Sequence, residues 1–356
     1  MSAPTAEPAT GEPAAADPGT GELAAALEAF LRSRLPDGAE PRISGLHRSG
    51  TGTSRENWPF DAVWNVDGRP VTHRLLMRRD PSAGVVETGR DAEFWLLRRL
   101  AGTPVPVPEV YWLDATGEFL HRPTMIVKRY EGAAHRAVLR PADPLSLGAD
   151  GQLALAEQIC EALARLHLVD VDATGLRDEL EDPGPNPAEH ELDRWVRELD
   201  AQEIEPQPAL RLAAAWLRDH LPPPPRTTVL VHGDFRPANV LVRDGRLEAV
   251  LDWELAHLGD PLDDLGWYTA PLYAKEHFIP GRWEPADFLR RYTELTGFPV
   301  DPEALRFWQI LSTFRLAVIA LTGVRNFCEG RGDRPAAPAD ALTRRLLADI
   351  LAAEGT

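Results

Sequence analysis

The sequence predicts an α+β chain in two parts, a small β-rich N-terminal lobe and a larger, mainly helical C-terminal lobe. Three observations predict it. Up to about residue 130 the apolar side chains fall in short runs with strand-like spacing. From about residue 145 they recur at helical spacing. A single β island, residues 228–251, interrupts the helices and carries the densest run of chemically capable side chains.

Residues 1–22 are mostly Ala, Pro, Thr, Gly and Glu with no aromatic residue, too little apolar surface to offset the entropy of ordering, so they are expected to be disordered. An amphipathic helix follows, with Leu23, Leu27, Phe30, Leu31 and Leu35 near helical spacing. Strands are expected at 43–49, 58–66 and 71–78, the last two joined by an Asp67-Gly68 turn. A helix over 86–100 carries Phe94, Leu97 and Leu100 on one side and is stopped by the prolines at 104, 106 and 108. Two further strands, 109–113 and 124–130, flank a turn containing Gly117. These elements make the N-terminal lobe, residues 23–130.

The second lobe, residues 131–356, opens with an amphipathic helix over 153–168. Helices are expected at 189–199, 209–221, 285–296, 302–324 and 338–353, the last with Pro338 at its first position. The β island supplies strands at 228–231, 240–242 and 247–251.

Composition narrows the function. A chain of 356 residues with 44% apolar and 26% charged residues has the profile of a soluble globular protein large enough for two cores. Its net charge of −17 lacks the basic footprint of nucleic-acid binding. Either a solubilising surface or a field that draws in a cationic substrate would use that charge. Cys160 and Cys328 show neither metal-ligand spacing nor a disulfide framework, which fits a reducing cytoplasm. No secretory signal pattern opens the chain. The most apolar later stretch, 314–324, reads as too short for a membrane span and contains Arg315, so no membrane association is expected. Oligomeric state is not legible.

Two stretches carry the chemistry: His232-Gly-Asp-Phe-Arg-Pro-Ala-Asn239, and, one hairpin later, Leu251-Asp-Trp-Glu254. Asp234 follows the apolar run Val229-Leu230-Val231, so its carboxylate can project from a loop and accept a hydroxyl proton. Asn239 offers a hard amide oxygen suited to Mg²⁺. Asp252 returns beside it after the Asp244-Gly245 turn and offers an ionised carboxylate to the same metal. A base and two metal ligands in this strand–loop–strand–turn–strand order match phosphoryl transfer from ATP.

With Gly259-Asp-Pro-Leu-Asp-Asp-Leu265 added, the chain resembles the aminoglycoside phosphotransferase-like family of small-molecule kinases, over about residues 40–330. The wording is closest to the branch with kinase-like domains fused to acyl-CoA dehydrogenases. The resemblance implies a bilobed protein-kinase-like fold and ATP with Mg²⁺ as cofactors. It implies Asp234 as catalytic base and Asn239 and Asp252 as metal ligands. It also implies that His232 is a structural member of the loop and that Asp264 fastens that loop through backbone hydrogen bonds. Asp260 either caps the same turn or faces substrate.

In the first lobe, Ser49, Gly50, Thr51 and Gly52 stand where the resemblance places a phosphate-covering loop; small residues there let backbone N–H groups approach anionic oxygens. The stretch is not a Walker motif and lacks the third glycine of the protein-kinase loop. Arg78 stands where kinases carry a phosphate-binding Lys, with Arg79 as the competing residue if the strand register shifts by one. Glu93 is placed to pair with Arg78 from the next helix. Residues 127–130, including Lys128 and Tyr130, match the connector whose backbone holds adenine in this family.

The partner implied is a small-molecule hydroxyl acceptor: a hydroxylated acyl or other metabolite, or an antibiotic such as an aminoglycoside or macrolide. The insertion 170–227 mixes Asp182, Glu189, Glu191, Asp193 and Glu198 with Arg194 and Arg197, as either a pocket lining or a solvated surface would. Trp195, Trp267, Tyr268, Tyr273 and Trp283 suit either an aromatic wall or the core. Two rival readings stay open beside the kinase: a catalytically silent nucleotide-binding regulatory module, and metal-assisted hydrolysis at the same carboxylates.

Overall fold

The computed structural model describes residues 19–49, 56–66, 68–79, 90–330 and 339–355. It is an α+β chain that separates into two compact units, Met1–Gly84 with Trp112–Ile126 and Val85–Tyr111 with Val127–Thr356. This division by contacts is a different cut from the lobe boundary at residue 130 read from the sequence.

In the first unit, α1 (Thr20–Arg34) starts inside the expected tail, whose residues 1–18 lie outside the described residues. Leu23, Leu27, Phe30 and Leu31 fall on one face and are fully buried, each contributing about 1.5–3 kcal/mol. Strands β1 (Arg42–Ser44), β2 (Glu56–Val66) and β3 (Arg69–Arg79) follow. The expected strand over 43–49 is therefore shorter. Pro59 explains this: its carbonyl accepts from His47 on the β1 side, where the proline has no N–H to return. Pairing resumes only at Ser49, whose N–H donates to Asn57 O at 2.7 Å.

Strands β2 and β3 pair without interruption from Glu56↔Arg79 to Val66↔Arg69. Glu56, Trp58, Phe60, Ala62 and Trp64 alternate onto the buried face. Of the expected turn, Asp67 lies outside the described residues and Gly68 has φ +76°. Helix α2 (Arg90–Leu100), which belongs to the second unit, is next in the chain; β4 (Val110–Asp114) and β5 (Thr124–Lys128) follow, and the sheet runs β1-β2-β3-β5-β4. The expected first turn of α2, residues 86–89, lies outside the described residues.

The second unit contains α3 (Gly148–His167), α4 (Pro187–Gln202), α5 (Pro208–Asp219), β6 (Val229–Val231), β7 (Val240–Arg243), β8 (Arg246–Val250), β9 (His257–Gly259), α6 (Pro261–Thr269), α7 (Ala274–His277), α8 (Pro285–Thr296), α9 (Pro302–Cys328) and α10 (Asp340–Ala353). Pro338, expected at the first position of α10, lies outside the described residues, and the helix begins at Asp340. Strand β6 pairs antiparallel with β9, while β7 and β8 form a hairpin through Asp244 and Gly245, both at positive φ, as a two-residue primed turn requires.

Helix α9 corrects the expectation that its apolar stretch is too short for a span. It runs 27 residues and is long and apolar enough to cross a membrane by length and composition. However, 61% of its most apolar window is buried against the rest of the chain, chiefly α6, α10 and α4, which is how a core helix is disposed. Gly266 permits a close approach of α6 to α9, since a Cβ there would lie 2.5 Å from Trp308 Cβ.

Candidate active site

The buried strand β6 delivers the chain into the loop His232–Asn239, and Asp264 on α6 holds the loop's start. Its carboxylate accepts the N–H of His232 at 2.7 Å and of Gly233 at 2.9 Å. His167 of α3 completes the anchor, with Nε2 3.1 Å from Asp264 and Nδ1 2.6 Å from Tyr292 Oη. Burial alone would raise the Asp264 pKa; His167, His232 and the backbone donors outweigh it and hold it below the usual carboxylate value.

His232 is fully buried and bonded at both nitrogens. Its Nδ1 accepts the Asp234 N–H at 3.1 Å, so its proton sits on Nε2, which donates to Leu251 O at 2.9 Å. The ring thus ties the Asp234 loop to the segment that carries Asp252, the structural part expected of it. Gly233 lies at φ +82°, and a Cβ there would meet Leu255 O at 2.5 Å, so only glycine fits this turn.

Asp234 projects beyond this scaffold with its side chain still 16% exposed. Asn239 Nδ2 donates to both Asp234 Oδ2, at 2.8 Å, and Asp234 O, at 2.9 Å. That fixes the carboxylate's orientation and leaves the Asn239 amide oxygen outside the pair. Arg236 Nε lies 3.0 Å from Asp234 Oδ1. Burial raises the Asp234 pKa, opposed by Arg236, by His232 and by the Asn239 hydrogen bond. A carboxylate raised in this way is a stronger base once ionised.

Leu251 N donates to Asn239 O at 2.8 Å, bringing the next residue, Asp252, alongside Asn239. Asp252 adopts φ +59°, ψ +64°, a left-handed conformation that non-glycine residues enter rarely and Asp more readily than most. Strand β8 ends at Val250, two residues before Asp252, so Asp252 sits in a turn that aims it rather than at a strand end. An amide oxygen and a carboxylate are both hard-oxygen donors of the kind Mg²⁺ takes, so the chemistry of Asn239 and Asp252 fits the metal.

The other expected residues fall as follows. Ser49 is exposed at its bridge to Asn57, while Gly50, Thr51 and Gly52 lie outside the described residues. Arg79 is wholly buried on the core face of β3, with Nε and Nη2 donating to Glu56 Oε2 at 2.9 and 2.7 Å. Arg78, its neighbour on the strand, points to the opposite face and is also buried. Glu93 is buried on α2. Lys128 Nζ donates to Glu109 at 3.2 Å, and Tyr130 Oη accepts the Glu109 N–H at 3.2 Å, so both connector side chains are tied to Glu109. Asp260 caps α6 through Leu262 N at 2.8 Å. Trp195, Trp267, Tyr268, Tyr273 and Trp283 are all buried and pack in the second unit.

A polar cluster went unread in the sequence. His257 on β9 lies 3.3 Å from Asp263 and 3.7 Å from Glu191, and its Nδ1 donates to Leu255 O at 2.9 Å. Burial would lower the His257 pKa, but the two carboxylates outweigh it and raise it. Arg315 pairs with Asp263 at 3.2 Å, and Arg194 with Glu191 at 3.3 Å. These three acidic and imidazole groups could gather a cation, but each carboxylate already has a guanidinium partner. His167 gave no local signal. Arg315 did: it is a lone charge within an apolar run.

The profile of the phosphotransferase enzyme family matches residues 55–308. The chain is 31% identical over 275 residues to acyl-CoA dehydrogenase family member 10 of Mus musculus, covering 72% of this chain but only 25% of that protein's length. Among solved structures it is similar to a provisionally assigned aminoglycoside phosphotransferase from Ralstonia eutropha, at 27% identity and a TM-score of 0.68 over 91% of this chain and 95% of that one. A more distant aminoglycoside phosphotransferase, solved as a ternary complex with AMP-PNP and hygromycin B, shares the fold at 20% identity and a TM-score of 0.52, over 93% and 99% of the two chains.

Proposed function

Because the chain belongs to the phosphotransferase enzyme family, we propose that it moves the γ-phosphate of ATP to a hydroxyl of a small molecule, with Asp234 as the base. The observation that carries this reading is the Asp234–Asn239 pair, with Leu251 bonded to the Asn239 backbone and Asp252 next to it in the chain. In the reaction the acceptor oxygen bonds to the γ-phosphorus, the bond from phosphorus to the bridging oxygen of ADP breaks, and the hydroxyl proton passes to Asp234. Asn239 holds the Asp234 carboxylate in one orientation, and Arg236 keeps it ionised at lower pH than burial alone would allow.

Asn239 Oδ1 and Asp252 would hold Mg²⁺, which when bound neutralises charge on the transferred phosphoryl group. We assign the ATP-phosphate contact to Arg78 in preference to Arg79, since the Arg79 guanidinium is turned to Glu56 on the core face. Glu93 and the loop from Ser49 to Gly52 are its proposed companions, and the backbone of residues 127–130 is the proposed adenine holder. The acceptor range follows the relatives: hydroxylated acyl compounds on the likeness to the mouse protein, and antibiotics on the neighbour that binds hygromycin B.

The test is ADP release with Mg²⁺-ATP and a panel of hydroxylated metabolites, thioesters and antibiotics. Asp234→Ala should lower kcat by about 10²–10⁴-fold, the range for a lost general base. Asp252→Ala should abolish acceptor-dependent ADP release. Full turnover by either variant, folded as judged by its melting curve, would overturn the assignment.

A further inference from the structure

Arg315 sits at the middle of α9 and is only 3% exposed. Its guanidinium carbon lies 4.2 Å above the Trp267 ring and 5.8 Å from that of Trp195. Among the described residues only Nη1 is bonded, to Asp263 Oδ1 at 3.2 Å. The buried Nε and Nη2 find no acceptor among the described residues, and neither does the indole N–H of Trp267 beneath them.

The pair left over is informative. Nε and Nη2 share one edge of the guanidinium plane, and their N–H bonds run parallel along it. That edge takes a carboxylate or phosphate through two bonds at once. Buried polar groups without partners are rare in native proteins, and a charged fork without one asks for an explanation. Asp263, the partner of Arg315, is the chain neighbour of Asp264, whose carboxylate accepts the His232 and Gly233 N–H groups at the start of the Asp234 loop. Trp267, under the guanidinium, packs 5.6 Å from Tyr273, centroid to centroid. The unused edge therefore belongs to the neighbourhood of the proposed base.

Resting on the phosphotransfer reading above, we infer that the Nε–Nη2 edge of Arg315 binds an oxyanion on the acceptor, so that the substrate is a hydroxylated carboxylic acid. The acceptor hydroxyl goes to Asp234 and its carboxylate to Arg315, with the Trp267 N–H as a third donor. Arg315 is then the residue that selects acids over neutral and cationic alcohols.

The experiment compares matched acceptors with the intact enzyme: a chain-length series of hydroxyalkanoates, their methyl esters, the corresponding amino alcohols and phosphate-bearing alcohols. The acids should be preferred. Arg315→Gln should reduce the acid-to-ester ratio of kcat/KM by about 30-fold or more, the effect of truncating one side of a buried charge pair. Arg315→Lys, which keeps the cation over Trp267 but not the two-bond edge, should reduce the same ratio and guards against misfolding of the glutamine variant. An equal loss for acids and esters would overturn the selectivity role. Preference for phosphate-bearing alcohols would overturn the carboxylate assignment.

Binding of the hydroxyalkanoates without ATP, followed by ligand-detected NMR, separates the two readings. Binding that is lost in Arg315→Lys, with nothing ever phosphorylated, would support the subsite and sink the phosphotransfer reading. Phosphorylation of neutral or cationic alcohols alone would do the reverse.

Discussion

Two buried arginines, one in each unit, meet their carboxylates in different ways. Arg79, on β3, turns the Nε–Nη2 edge of its guanidinium onto Glu56, with bonds of 2.9 and 2.7 Å. Glu56 also lies 3.4 Å from both Arg122 and Arg48, so one carboxylate gathers three cations. Arg315, on α9, meets Asp263 through Nη1, and among the described residues the corresponding edge has no acceptor. Both stack on tryptophan, Arg79 at 5.6 Å from the Trp58 ring and Arg315 at 4.2 Å from Trp267. The chemistry is the same, and only the use of one edge differs. An arginine whose strongest edge is closed internally holds the fold, whereas one whose strongest edge meets no acceptor among the described residues fits the proposed role of holding a ligand.

The contrast can be broken most directly at Glu56. Glu56→Ala would strand the fully buried Arg79 charge and should cost about 3–5 kcal/mol, read as a fall in the urea midpoint at constant m-value. A loss below about 1 kcal/mol would mean that Arg79 does not depend on this pair.

Arg315→Lys should cost far less, about 1 kcal/mol by the same measurement, because the cation stays over Trp267 and a single hydrogen bond is at risk. A cost matching that of Glu56→Ala would show that the Nε–Nη2 edge is already satisfied within the fold, and the contrast would collapse.

Arg236 is the intermediate case, with a side chain 35% exposed and its Nε 3.0 Å from Asp234. Asp234 must be ionised to take a proton, so kcat falls as pH drops through its pKa. Burial raises that pKa and Arg236 opposes the rise. Arg236→Gln should therefore move the acidic limb of the kcat profile to higher pH, and a limb that stays put or moves down would show that the contact has no electrostatic weight at the base.

What the sequence could disclose follows the distance over which each signal acts. Asp234, Asn239 and Asp252 could be picked out as candidates because one loop and one hairpin carry all three. Helix α8 was legible to the residue, since Pro285 at its first position, the Glu284 and Asp287 capping box and Gly297 at its end are local signals. The Arg78/Arg79 ambiguity needed the partner strand, because the pairing of Glu56 with Arg79 sets which arginine faces the core. Helix α6 gave no amphipathic period because all nine of its residues are buried. The His167–Asp264 and Arg315–Asp263 contacts join residues 97 and 52 positions apart, beyond any local pattern.

Arg315 also has a consequence during synthesis. As α9 leaves the ribosome, before α4, α6 and α10 can cover it, it offers the insertion machinery a helix with the length and hydropathy of a membrane span. A guanidinium near the centre of such a helix raises its insertion free energy by roughly 2.5–3.5 kcal/mol. The charge proposed to choose the acceptor in the folded protein thus also biases the nascent chain away from the bilayer.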